Sequence, residues 1–106
     1  MNQDLQIILA QLRREFSNIL GDRLEALYLY GSQARGDARP DSDIDVLAVI
    51  RGEFNYADLI DRTSKTVSEI SLDHNVVVSR AFMSHERFVQ DQTPFLLNVR
   101  REAVQI

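Results

Sequence analysis

The sequence predicts an α+β fold of sandwich-like build, a small mixed β-sheet with helices packed on it, from three observations. Apolar residues recur at helical spacing over residues 5–20, 56–70 and 94–103. Short segments rich in aromatic and β-branched residues lie at 26–30, 43–50 and 76–78. The two kinds of segment alternate as α-β-β-α-β-α, an order that sets helices against a mixed sheet.

Each element has its own signal. Leu5, Ile8, Leu9, Leu12, Phe16, Ile19 and Leu20 form one stripe of an amphipathic helix, which Gly21 closes as a C-terminal cap. Ala26-Leu27-Tyr28-Leu29-Tyr30, stopped by Gly31, is a buried strand. Residues 31–42 are the polar, Gly- and Pro-bearing part of the chain and form a turn or loop, with room for one helical turn after Ser32. Residues 43–50 read as a second strand, alternating in its first half and apolar throughout its second, as in a strand covered on both faces. Gly52 and Asn55 break the chain; Tyr56, Leu59, Ile60, Thr63, Val67 and Ile70 mark the next helix. Val76-Val77-Val78 is the core of a third strand, Ser84 caps a short helix to Val89, and Thr93-Pro94 opens a last helix through Phe95, Leu96, Val99 and Ala103.

Bulk properties exclude several classes. At 106 residues, 44% hydrophobic and 26% charged, residues 1–106 are expected to form one ordered domain, with no repeat, low-complexity stretch or linker. No apolar run approaches the roughly 20 residues of a membrane span. Met1-Asn2-Gln3-Asp4 lacks the basic start of a signal peptide, and there is no cysteine for disulfides or thiolate zinc. A cytoplasmic location is the expectation. A net charge of −4 argues against direct nucleic-acid binding, which needs a basic surface to displace counterions, and suits a basic partner or a small substrate carrying its own metal.

One stretch exceeds what folding requires: Tyr30-Gly31-Ser32-Gln33-Ala34-Arg35-Gly36, then Asp41-Ser42-Asp43-Ile44-Asp45. In a strand, residues two apart share a face at about 7 Å, so Asp43 and Asp45 project together. Two carboxylates on one face repel unless a cation sits between them, and magnesium favours one or two carboxylates plus substrate phosphates. A bare Asp-x-Asp also occurs as a solvated strand end; the upstream glycine and serine shift the reading toward a metal. Gly31 ends a strand where a missing Cβ lets backbone approach an anion, and Ser32 offers a hydroxyl beside outward-pointing N–H groups if a helical turn follows.

Gly31-Ser32, ten intervening residues and Asp43-Ile44-Asp45 resemble the signature of the DNA polymerase β-like nucleotidyltransferases, and the wider run is similar to their smallest branch, the minimal nucleotidyltransferases. The resemblance covers essentially the whole chain and implies the nucleotidyltransferase fold, with ATP as substrate and two Mg²⁺ ions bridging triphosphate and acceptor hydroxyl. Gly31, Ser32 and Arg35 would bind nucleotide, and Asp43 and Asp45 the metal. For Arg35, phosphate contact and plain solvation stay open. A third carboxylate is expected on the next strand. There Asn75 holds the aligned position and is a poor ligand, so Asp73 is the candidate third metal ligand and catalytic carboxylate, against a polar turn at 73–75. The resemblance further implies an antitoxin that adenylylates a tyrosine of a HEPN-type ribonuclease toxin, the alternative being an antitoxin that neutralises its partner by binding alone. His74 and His85 read as structural or surface residues, and Arg100-Arg101 as a solvated face.

Overall fold

The computed structural model describes residues 3–39 and 42–106; Met1, Asn2, Pro40 and the motif's Asp41 lie outside the described residues. Helix α1 spans Gln3–Leu20 and is followed by a 3₁₀ turn, Gly21–Arg23; β1 is Leu24–Tyr30, α2 Gly31–Arg35, β2 Ile44–Ile50 and α3 Tyr56–His74. Then come β3 (Val78–Ser84), α4 (His85–Gln90), α5 (Pro94–Glu102) and β4 (Val104–Gln105). The strands form one sheet in the order β3-β2-β1-β4. β1 runs antiparallel to β2 and β4, and β2 parallel to β3, so the expected mixed sheet is what forms.

The two faces are built differently. Leu27, Leu29, Ile44, Val46, Ala48, Ile50, Val78 and Phe82 point to one side, where they bury against Leu5, Ile8, Leu9, Leu12, Phe16 and Leu20 of α1 and Leu59, Val67 and Ile70 of α3. This is the main core, and burying each large side chain in it stabilises by about 1.5–3 kcal/mol. Arg80 also lies on this side of β3, where its guanidinium donates to Thr63 Oγ1 (2.7 Å), the Ile60 carbonyl (2.9 Å) and Ser64 Oγ (3.1 Å). Thr63, fully buried, donates in turn to the Leu59 carbonyl at 2.8 Å, so no polar group is stranded there. The opposite face carries buried Leu47 and Val49 and is covered by the short helices: Tyr28 stacks on Phe88 of α4 at 5.1 Å, and Tyr30 meets Phe95 of α5 edge-on at 5.6 Å.

Most boundaries agree with the sequence reading. Asn55 caps α3 by accepting from the Asp58 N–H, Ser84 caps α4 from Arg87 N–H, and Thr93 caps α5 from Leu96 N–H. Three points differ. β3 begins at Val78 rather than centring on Val76–Val78, because α3 continues to His74 and Asn75 takes a left-handed cap (φ 52°) that lets Val76 N–H bond the Ser71 carbonyl. Val77 is consequently exposed. β4 had no sequence signal; two residues become a strand only by pairing with Tyr28 and Leu29. Arg100 is not merely solvated: it donates to the Phe88 and Asp91 carbonyls at the end of α4 and lies over the Phe88 ring, tying α5 to α4. His74 is structural, its Nε2 bonding Gln11 Oε1 of α1 at 3.1 Å.

Candidate active site

The carboxylate pair sits where β1, β2 and β3 lie side by side. In the sheet register Asp45 is opposite Tyr30 on one neighbour and Ser79 on the other. It shares the face of Leu47 and Val49, the one covered by α4 and α5. Asp43, exposed, stands one residue ahead of β2, and Ser79 Oγ reaches its Oδ2 at 3.5 Å. Along β3 the same face continues with Ala81 and Met83.

Gly31 is explained by this geometry in a way the sequence did not anticipate. The backbone turns from β1 into α2 at Gly31 with φ 73°, a region that costs an L-residue about 1–2 kcal/mol. A Cβ there would lie 2.5 Å from Asp45 Oδ2. The anion that the missing side chain admits is therefore, first of all, the chain's own carboxylate. The helical turn expected after Ser32 is present and starts at Gly31; Ser32's carbonyl accepts from the Gly36 and Asp37 N–H groups, at 3.0 and 3.2 Å. The first N–H groups of a helix have no partner within it, so Gly31 and Ser32 present donors beside Asp45.

Electrostatics mark Asp45. Burial pushes its carboxyl above the usual aspartate range, the neighbouring Asp43 charge adds to this, and Arg35 opposes it. Tyr30 is likewise raised, by burial first and then by Asp45 and Tyr56. Two adjacent carboxylates, one of them partly buried, against a turn that offers backbone donors, match the needs of a magnesium–nucleotide, in which metal charge and phosphate charge are satisfied together. Arg35 is held in ion pairs, Nε to Asp37 and Nη1 to Glu102 of α5, both 3.3 Å. It lines a small cavity of about 190 Å³ next to the turn, with Tyr30, Gly31, Phe95 and Asn98. Larger clefts of about 700 and 640 Å³ open elsewhere, and neither is lined by Asp43 or Asp45. Chemistry rather than volume identifies the site.

The structure brings Gly31, Ser32, Asp43 and Asp45 together and leaves Asp73 out. Asp73 was expected on an extension of β3; it lies instead in the last turn of α3, and Asn75 is that helix's cap. Among the described residues, no third His, Cys, Asp or Glu joins the pair in a group able to hold a metal. The β3 residue that does face the acids is Ser79, which the sequence reading missed. The signal for it is the period-2 pattern Val78, Arg80, Phe82 against Ser79, Ala81, Met83, visible once the strand is started two residues later.

Comparison with known proteins shows the family and the fold. The family profile described as "Nucleotidyltransferase domain" matches residues 9–100. Two curated relatives from Methanocaldococcus jannaschii, each provisionally named a protein adenylyltransferase, align with the chain. One is 33% identical over 68% of this chain and 72% of its own length; the other is 37% identical over 71% and 73%. Among solved structures, a protein provisionally called a nucleotidyltransferase from Sulfolobus solfataricus superposes with TM-score 0.63 at 22% identity, covering 97% of this chain and 82% of that one. A toxin–antitoxin structure with AMP-PNP gives TM-score 0.65 at 14% identity, covering 91% and 69%, and a mutant of the toxin–antitoxin MntA-HpeT gives 0.59 at 15%, covering 99% and 72%. At such identities these likenesses establish the fold.

Proposed function

From the premise that the chain belongs to the nucleotidyltransferase domain family and is a nucleotidyltransferase, we propose that it moves AMP from Mg-ATP onto a tyrosine hydroxyl of a HEPN-type ribonuclease toxin and so acts as an antitoxin. The observation that supports the transfer is the approach of Asp45 to the Gly31 turn, which sets the carboxylate beside the backbone of that turn. The relatives named protein adenylyltransferases support a protein acceptor, and the toxin–antitoxin complexes among the structural neighbours support a toxin as that protein.

In this reading residues 1–106 are one nucleotidyltransferase domain working in the cytoplasm, where ATP is abundant; no helix among the described residues is long and apolar enough to cross a membrane. Asp43 and Asp45 hold magnesium, which supplies charge neutralisation to the phosphates when bound. Gly31 and Ser32 N–H groups and the Ser32 hydroxyl hold phosphate oxygens and fix the α-phosphorus for in-line attack. Arg35 exchanges an ion pair for a phosphate contact, a trade that its bidentate guanidinium suits. The chain has a small surface for gripping an acceptor, so the partner presents its own hydroxyl. Asp73, in α3, takes no part.

A second reading, neutralisation of the partner by binding alone, is favoured by one observation: Ser79, not an acid, faces the pair. Incubating the chain with α-labelled ATP, magnesium and the product of the adjacent gene separates the two. Label on the partner that disappears in Asp43→Ala is the expected result. A tight complex that never acquires label, whichever nucleotide is supplied, would establish the second reading instead.

A further inference from the structure

We propose that Ser79 limits the site to one divalent cation, the one that arrives with the nucleotide, in place of the two implied by the family resemblance. The inference rests on the nucleotide-binding reading given above and deepens it. Parallel pairing puts Ser79 directly beside Asp45, and its Oγ is 3.5 Å from Asp43 Oδ2, so it is the β3 side chain in contact with the acid pair. The other β3 residues on that face, Ala81 and Met83, carry no oxygen. A second magnesium beside the first needs a further anionic ligand to offset ion–ion repulsion, because magnesium sheds its water reluctantly and a neutral hydroxyl does little to compensate.

The consequence concerns the acceptor. With one ion and no carboxylate facing from β3, this side of the site neither binds the acceptor oxygen to a metal nor removes its proton. The acceptor oxygen bonds to the α-phosphorus, and the bond from that phosphorus to the oxygen bridging to the β-phosphate breaks. Pyrophosphate leaves with that electron pair, and the acceptor proton passes to water. Such a site favours an acceptor that is itself acidic: a phenol ionises near pH 10, far more readily than water does.

The test counts ions without using the acceptor. Mn²⁺ retained per chain is measured by equilibrium dialysis with saturating α,β-methylene-ATP. Low-temperature electron paramagnetic resonance is added, in which two ions about 4 Å apart give an exchange-coupled spectrum that one ion lacks. The expected counts are one for the wild type, one for Ser79→Ala and two, with the coupled spectrum, for Ser79→Asp. Two ions in the wild type overturn the proposal even if Ser79→Asp fails to fold, as does a folded, nucleotide-binding Ser79→Asp that still holds one. No nucleotide-dependent ion in any variant overturns the reading of the site itself, whereas a count of one together with an unlabelled partner overturns adenylyl transfer and leaves the role of Ser79 standing.

Discussion

The two faces of the sheet use the same strands for opposite ends. On the α1/α3 side, side chains from three strands and two long helices exclude water almost completely, and the polar residues there, Thr63 and Arg80, satisfy each other and nearby carbonyls. On the α4/α5 side, where the helices are only six and nine residues long, the start of β2 stays partly exposed, and Asp43, Asp45, Ser79 and Tyr30 gather there. Stability is concentrated on the closed face, and the second face can therefore tolerate a pair of repelling carboxylates.

This division makes predictions that can break it. The largest effect should come from the acids: Asp43→Ala or Asp45→Asn lowers adenylyl transfer on the order of a hundredfold or more with the fold retained, checked by partner labelling alongside circular dichroism. Phe16→Ala, at a fully buried position, should destabilise by about 3–5 kcal/mol in urea melts, while transfer per folded molecule stays near wild type. If that variant lost transfer more than stability, the faces would not be separable. Gly31→Ala is the one substitution expected to strike both. Its Cβ meets Asp45 Oδ2 and its φ is left-handed, so it should lose about 1–2 kcal/mol of stability and weaken nucleotide binding measured by calorimetry.

The smallest effect is electrostatic. Asp45's folded pKa is raised, so the stability it contributes is fully present below its unfolded pKa and is lost as pH rises through the folded value. At pH 7, without metal or nucleotide, the charged form is therefore a burden, and Asp45→Asn should melt slightly higher than the wild type. The gap should close on acidification past the ordinary aspartate range. A wild type that melts higher than Asp45→Asn at pH 7 would show that the paired acids are not strained at all.

Much of this was legible in the sequence because its causes are local. The stripe Leu5–Leu20, the caps Asn55, Ser84 and Thr93, and the strand–glycine–serine junction are each written within a few residues. The third strand was misplaced because Val76-Val77-Val78 carries a stronger β signal than Ser79-Arg80-Ala81, while the deciding event, the left-handed cap at Asn75, is a property of the end of α3. Asp73 became a candidate ligand through that displacement alone, and β4 left no local trace.

The sequence by itself determined the fold class and the starts of the long helices, and it singled out Gly31, Ser32, Asp43 and Asp45 as candidates, because periodicity, capping and motif spacing act over short stretches of chain. Only the tertiary structure decided which β3 side chain faces the acids, what Gly31 makes room for, and which face stays open. Those depend on register between strands distant in sequence: Asp45 meets Tyr30 on one side and Ser79 on the other only after the sheet has assembled.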